Sequence, residues 1–223
     1  MRVCFVGRGA PKSVLLENGL GELDLIVFPF QGGEEVSYER ELRGETERFE
    51  GLARLSKHKN CAVVCGMTTD ALGLKRRSVL VAEGGKILGV SDMVNVLDGT
   101  VNVGACVRVF ETKSGRMGVV VEEDLYFFEV FKSLSLCGCD FIVCPFGGGV
   151  GETERVMLRA QAFCFGVPIL FCARGYSMVV GGEGEVSFAS PLSPVVFSFE
   201  RPAEYHLIET RSSGFSRRIR EDE

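Results

Sequence analysis

The sequence predicts an α/β fold in which two similar halves pack sheet against sheet, with helices outside, as an α-β-β-α sandwich. Short apolar runs that end in Gly or Pro alternate with helix-prone segments, a pattern typical of strands buried on both faces. The chain also repeats itself. DLIVFPFQGG at residues 24–33 resembles DFIVCPFGGG at residues 140–149, and GETER occurs at both 44–48 and 151–155. Two such half-units would share one core as a pseudo-two-fold internal repeat.

Each half is predicted to run strand, short helix, strand, long helix, strand and hairpin. In the first half these elements are residues 2–6, 12–18, 24–33, 39–57, 61–66 and the hairpin strands 77–82 and 86–90. In the second half they include strands at 107–111 and 140–144, a central strand from Gly115, and helices at 125–136 and from Glu152. The central strand ends abruptly in Glu122, Glu123 and Asp124. Because α/β folds place their chemistry where a strand stops before a helix, this is the candidate site.

Length and charge limit the classes of protein. The chain has 223 residues, a length that favours one domain over residues 1–210, followed by a charged tail at 211–223. Its formal charge is −5. The negative charge offers no basic face for nucleic acid. No apolar run reaches the roughly 20 residues that span a bilayer, and the first apolar run is too short for a signal peptide. We therefore expect a cytoplasmic protein that binds neither nucleic acid nor membranes.

The nine cysteines and two histidines do not form a metal-binding pattern. Cys137 and Cys139 are the only close pair, and no second pair follows at metal-ligand spacing. Several other cysteines lie in apolar runs, as reduced thiols in a protein core do. We expect no metal and no cofactor.

Several motifs resemble the nitrilase, or carbon–nitrogen hydrolase, superfamily in their order and spacing. They are the strand at residues 24–29, the hairpin at 78–89, the stretch 109–129, and residues 159–162 and 175–178. The resemblance covers nearly the whole chain. It implies a sandwich of nitrilase type and a homodimer formed through the helices at 125–136 and 152–165. It also implies a triad in which Cys attacks a nitrile or amide carbon, Glu is the general base and Lys stabilises the intermediate.

All three triad positions depart from the family pattern. The resemblance places the Glu at Phe30, the Lys at Met93 and the Cys at Glu122. Phe30 cannot accept a proton, Met93 cannot stabilise an oxyanion, and Glu122 is a carboxylate in place of a thiolate. The leading hypothesis is a non-catalytic relative that keeps the fold and binds a small molecule or a partner.

Two interpretations of Glu122 remain open. In the first, it is a carboxylate at a strand end, paired with Arg174, which the resemblance places at the border of the pocket. In the second, it is an anion that recognises a ligand carrying an amine or a guanidinium.

Cys144 is a candidate for a relocated nucleophile, because it lies at a strand end next to the expected pocket, with Glu34 or Glu35 as base. Its symmetry mate Phe28, however, is a core position. The glycine run at 147–149 is predicted to be a turn, since it lacks the Lys of a phosphate-binding loop and two acids follow it. Three functions therefore compete. They are a binding protein without catalysis, an amide or nitrile hydrolase with a rearranged site at Cys144 or Glu122, and a structural partner of an active paralogue.

Overall fold

The computed structural model describes residues 1–9, 11–16, 19–97, 99 and 101–200, without the side chains of residues 12, 15, 16, 33 and 34. The predicted tail at 211–223 lies outside these residues. Within this part of the chain, no helix combines the length and the apolar character needed to cross a membrane.

Among its described residues, the first half of the chain contains five strands and three helices. They are β1 (Arg2–Phe5), α1 (Pro11–Leu16), β2 (Leu25–Ser37), α2 (Tyr38–Leu42), α3 (Arg48–Lys59), β3 (Ala62–Ala71), β4 (Leu74–Glu83) and β5 (Lys86–Asp92). The second half contains β6 (Val109–Thr112), β7 (Gly115–Val119), a 3₁₀ helix (Glu122–Tyr126), α4 (Phe128–Leu136), β8 (Phe141–Pro145), α5 (Glu152–Phe165), β9 (Ile169–Ala173), β10 (Tyr176–Val180), β11 (Val186–Ser190) and β12 (Val195–Ser198).

The strands form two six-stranded sheets with the same topology. Their orders are β12-β1-β2-β3-β4-β5 and β6-β7-β8-β9-β10-β11. In each sheet the second, third and fourth strands run parallel, and the outer strands pair antiparallel. The predicted internal repeat is therefore confirmed at the level of strand order and direction.

The two sheets face each other across one shared core. Val27 and Val64 from the first sheet meet Val143 and Leu170 from the second, and all four are fully buried. Separate apolar clusters fill the outer faces, beneath α1 and α3 on one side and beneath α4 and α5 on the other. Each fully buried side chain of this size contributes about 1.5–3 kcal/mol to stability. The arrangement is the predicted α-β-β-α sandwich.

The helix predicted at residues 39–57 is broken into α2 and α3. Gly44 between them takes a left-handed φ of +70°, which ends a helix and is open to glycine without strain. The Glu41 carboxylate at the end of α2 then accepts the N–H groups of Arg48 and Phe49, both at 2.9 Å, and so caps the start of α3. The prediction of one continuous helix was wrong because a single glycine outweighs the flanking helix formers.

The strands of the first half extend beyond their predicted ends. The second predicted strand, expected to stop at Gly33, continues as β2 to Ser37, and the β3–β4 hairpin continues as far as Ala71 and Leu74. In the second half, the helix predicted at 125–136 divides into the 3₁₀ helix and α4. These extensions give the first half a longer wall at the carboxyl edge of its sheet.

Candidate functional site

The chain leaves β7 at Val119 and turns into three acidic residues. Glu122 has a left-handed backbone, with φ of +50°, which a residue other than glycine adopts only when its surroundings enforce it. The 3₁₀ helix begins at this residue. A tight strand-to-helix turn of this kind presents a side chain at the carboxyl edge of a sheet, where α/β folds bind ligands.

A cavity of about 560 Å³ lies at this edge and has the size of a small-molecule site. Its aromatic wall consists of Phe30, Tyr126 and Phe146, and its charged lining consists of Arg77, Glu122, Glu123 and Arg174. The other lining residues are Gly32, Thr68, Leu97, Gly147 and Gly148. Both halves of the chain therefore contribute to a single cavity.

Glu122 is buried in this cavity without a contact that satisfies it. The residue is 6% exposed, and its Oε1 atom has no hydrogen-bond partner among the described residues. Burial raises the pKa of the carboxyl group to about 7, and the charge of Glu123 adds to the rise. Arg77, the N–H of Gly147 and Arg174 all lower it. Near neutral pH, Glu122 is therefore divided between its ionised and protonated forms.

Gly147 lets the chain pass close to this carboxylate. A Cβ atom at this position would lie 2.8 Å from Glu122 Oε1 and 3.2 Å from Phe30 Cδ1. The backbone N–H of Gly147 favours the ionised form of Glu122 without satisfying Oε1. The glycine run predicted to be a turn thus also forms part of the cavity wall.

Glu123, in contrast, is neutralised by the first half of the chain. Arg77 Nη1 donates to Glu123 Oε1 at 2.6 Å, and the Leu97 N–H donates to Oε2 at 2.9 Å. The two charged side chains are only 23% and 16% exposed, so the pair is well shielded from water. The charge of Glu123 is therefore matched inside the protein.

Asp124 fastens the segment after β5 to the turn after β7. It is 2% exposed and accepts the N–H groups of Val94 and Asn95 and the side-chain amide of Asn95, at 2.9–3.0 Å for the shortest contacts. Burial raises the pKa of Asp124 to about 6, although these hydrogen bonds lower it. The acidic run is evident in the sequence, but these hydrogen bonds of Asp124 are not. The sequence does not show which carboxylate of the run is hydrogen-bonded and which is not.

Arg174 lies in the turn between β9 and β10 and is exposed at the cavity. The described residues show no hydrogen bond or ion pair between it and Glu122. Its charge still lowers the pKa of Glu122, as the weakest of the influences on that carboxyl. The structure therefore brings the two residues of the predicted pair to one cavity but does not place them in direct contact.

The other two positions that the resemblance assigns to the triad are apolar and well packed. Phe30 is 6% exposed in the cavity wall, and Gly66 approaches it so closely that a Cβ atom there would lie 2.7 Å from Phe30 Cα. Met93 is fully buried in the shared core and is absent from the described lining of the cavity. Neither side chain can exchange a proton.

Cys144 belongs to the cluster beneath α4 and α5 and does not line the cavity. Burial raises the pKa of its thiol well above the usual value, and the charges of Glu122 and Asp124 raise it further. The expectation that Cys144 borders the pocket fails because of burial: its side chain is fully buried in the same cluster as Phe146, two residues further on, and Phe146 lines the cavity instead. Of its predicted bases, Glu34 has a side chain outside the described set, and Glu35 pairs with Lys75 at 2.6 Å.

The start of α5 is already capped by a carboxylate. Glu154 accepts the Gly151 N–H and the Tyr126 hydroxyl, both at 2.6 Å. Among the residues described, no group of three His, Cys, Asp or Glu side chains is arranged to hold a metal ion. The chemistry that the cavity offers is therefore an acceptor at Glu122, a cation at Arg174 and an aromatic wall.

Solved structures with the same fold include several carbon–nitrogen hydrolases. A carbon–nitrogen hydrolase from Helicobacter pylori G27 is 19% identical over an alignment that covers 87% of this chain and 86% of the other, with a TM-score of 0.72. Nit3 from Saccharomyces cerevisiae, a member of branch 10 of the nitrilase superfamily, is 15% identical over 98% of this chain and 94% of its own, with a TM-score of 0.75. A mutant of the amidase from Nesterenkonia sp. AN1, in complex with butyramide, is 15% identical over 88% of both chains, with a TM-score of 0.73.

These structural similarities establish the fold, and a sequence comparison adds the family. No curated protein matches the chain significantly by sequence. The sequence profile of the Carbon-nitrogen hydrolase family, however, matches residues 22–193, which include Phe30, Met93 and Glu122. The chain therefore belongs to the carbon–nitrogen hydrolase family.

Proposed function

We propose that this protein is a non-catalytic member of the family that binds a small molecule in the cavity at Glu122. The observation that carries the proposal is the buried carboxylate itself, which stands where the resemblance places the nucleophile and lacks a partner at Oε1 among the described residues. Leaving a buried acceptor unsatisfied costs about 1–3 kcal/mol, and more when the group is charged. A ligand donor that pairs with the carboxylate from the cavity side would offset that cost.

Hydrolysis of an amide or a nitrile needs a nucleophile and a group that moves its proton. The positions that the resemblance assigns to the general base and to the stabilising cation hold Phe30 and Met93, which do neither. Cys144 is a neutral thiol sealed in the core. These three side chains together support the loss of catalysis.

A rearranged hydrolase is the second candidate, and one observation favours it. The pKa of Glu122 is raised to about 7, a value suited to a general acid or base at neutral pH. A nucleophile for this carboxylate to activate would have to be water or the hydroxyl of Thr68 or Tyr126 in the cavity lining. Tyr126 already donates its hydrogen to Glu154.

The experiment that separates the two candidates measures ammonia release from a panel of amides, ureas and nitriles, with intact-mass analysis for covalent adducts. We expect neither turnover nor adducts from the folded protein, and we expect thermal stabilisation by some small molecules. Turnover that disappears in Glu122→Gln would overturn the proposal and identify a rearranged site. Turnover that disappears in Cys144→Ala would identify a relocated nucleophile.

We also propose that the protein forms a homodimer through α4 and α5. Exposed apolar side chains occur on both helices, at Phe128, Leu136, Val156 and Phe163, each about half exposed. The corresponding face of α3 carries charged residues such as Glu50 and Arg54 instead. The nine cysteines all lie in the described residues and none forms a disulfide, which supports a reducing, cytoplasmic environment.

A further inference from the structure

We propose that the cavity binds a small bipolar ligand whose ammonium or guanidinium group donates to the Glu122 carboxylate and whose anionic end meets Arg174. This inference rests on the proposed binding function and specifies the chemistry of the ligand. Three independent features of the cavity support it. They are the position of the unpartnered carboxylate, the way in which the other charges are matched, and the composition of the wall.

Glu122 supplies the anchor for the cationic group. Its side chain is more than nine-tenths buried, and Oε1 has no donor among the described residues although the residue lines the cavity. Oε1 itself is closed off from solvent next to Gly147, so an N–H donor from the ligand would reach the carboxylate from the cavity side. A charged donor is favoured over a neutral one, because hydrogen bonds between ions are roughly twice as strong as neutral ones.

The remaining charges leave Glu122 and Arg174 as the two ends of the site. The Glu123 carboxylate is matched by Arg77 at 2.6 Å and by the Leu97 N–H, so it does not compete for a ligand cation. Arg174 is exposed and makes no direct contact with Glu122 among the described residues. A ligand with one positive and one negative end would therefore match both charges that the protein does not pair directly.

The wall of the cavity is suited to a cation. Phe30, Tyr126 and Phe146 line it, and the electron-rich faces of aromatic rings attract ammonium and guanidinium groups. Partial removal of water in such a site strengthens both the ring contact and the ion pair. The faces of these rings would not attract a ligand carboxylate placed next to Glu122 in this way.

The groups that face Glu122 determine how binding depends on pH. Arg77 from β4, Arg174 from the β9–β10 turn and the Gly147 N–H favour its ionised form, whereas Glu123 and burial oppose it. A cation binds only the ionised form, so its affinity rises with pH and its binding releases a proton. An anion that accepts a hydrogen bond from the protonated form would show the opposite dependence.

Isothermal titration calorimetry with four probes of similar size tests the assignment. The probes are 4-aminobutanoate, butylamine, butanoate and the neutral butyramide. We expect 4-aminobutanoate to bind most tightly, with butylamine second. Between about pH 5.5 and about pH 8.5, the affinity for both should rise by up to about 30-fold, as expected for a group with pKa near 7.

Three variants and a control identify the residues that hold the ligand. Glu122→Gln should weaken butylamine binding by about 10- to 100-fold and abolish its pH dependence. Gly147→Ala, which places a methyl group next to Oε1, should weaken it in a protein that keeps the carboxylate. Arg174→Gln should weaken 4-aminobutanoate far more than butylamine, whose affinity should change only through the small shift in the pKa of Glu122. Glu50→Gln on the exposed face of α3 should change nothing.

The outcomes separate this inference from the proposed function. Preferential binding of butanoate, with affinity that falls as pH rises, would overturn the cation assignment but leave non-catalytic binding intact. Equal butylamine affinity in Glu122→Gln, or no binding of any of the four probes, would also overturn it. Ammonia release from butyramide would instead overturn the proposed function.

Discussion

The two halves of the molecule share one topology but end their strands very differently. β2 has 13 residues against five in β8, and β3 and β4 have ten each against five each in β9 and β10. The longer hairpin of the first half carries Thr68 and Arg77, which lie opposite each other and both line the cavity. The shorter hairpin turns at once and leaves Arg174 exposed.

The residues that follow the equivalent first strands differ in charge and burial. Val3 lies opposite Leu25, and Met117 lies opposite Phe141, so the position equivalent to Glu122 in the first half is Arg8. Arg8 is exposed, and its backbone N–H donates to Ser193 Oγ at 2.8 Å. Glu122 instead lies buried over the cavity. The repeated strands thus build the core and supply Phe30 and Phe146 to the cavity wall, whereas the charged residues of the site lie in segments that differ between the halves.

The largest effect on the free energy of unfolding is expected in the two outer cores, where equivalent positions carry side chains of different size. Phe28 and Cys144 occupy equivalent positions, and both are fully buried. Phe28→Ala should lower the free energy of unfolding by about 3–5 kcal/mol, because it leaves a large cavity, whereas Cys144→Ala should cost about 1 kcal/mol. Urea denaturation of both variants provides the measurement. Similar losses in the two would mean that the halves are packed alike.

The second prediction concerns the buried carboxylate that only the second half has. The folded state raises the pKa of Glu122 from its ordinary 4.5 to about 7, so wild-type stability falls as pH rises through this range. Glu122→Gln should be more stable than wild type by up to about 3 kcal/mol near pH 8, and the difference should vanish near pH 4.5. Thermal unfolding at several pH values measures it. A variant difference that is constant with pH would contradict the burial of this charge.

The third prediction compares the arginines that the long and short hairpins supply. Arg77→Gln removes the partner of Glu123 and should cost about 1–3 kcal/mol, since the pair is shielded from water. It should also raise the pKa of Glu122 further, because Arg77 is the strongest favourable charge on that group. Arg174→Gln should shift this pKa less and change stability by under about 0.5 kcal/mol. NMR titration of Glu122 in both variants measures the two pKa shifts. A larger shift in Arg174→Gln than in Arg77→Gln would contradict this ranking of the two arginines.

The smallest effect on stability is expected at the outer helices. Phe163→Asp on α5 and Arg54→Ala on α3 both change exposed side chains, so each should alter the free energy of unfolding by no more than about 0.5 kcal/mol. Only Phe163→Asp should weaken the proposed homodimer. Sedimentation velocity provides the test. A dimer that survives Phe163→Asp but not Arg54→Ala would move the interface to the first half.

The repeated strands were predictable because continuous apolar runs between Gly and Pro breakers are typical of buried strands. The division between α2 and α3 was not, since Gly44 sits among good helix formers. Glu122 was identified as the position of interest from the charges that end an apolar strand. The complete burial of Cys144 was not predicted, because a run that is apolar at every position does not show which of its last residues reach the cavity.

The topology and the family follow from the sequence alone, because both rest on local patterns at fixed spacing. The sequence also shows Phe30, Met93 and Glu122 at the positions that the resemblance assigns to the triad. Which charges meet depends on how distant segments pack. Arg77 comes from a hairpin far before Glu122 in the chain, yet it pairs with the neighbouring Glu123 and leaves Glu122 Oε1 unmatched among the described residues. Burial and contact between distant segments set the pKa of a carboxylate, and only the packed sheets bring those segments together.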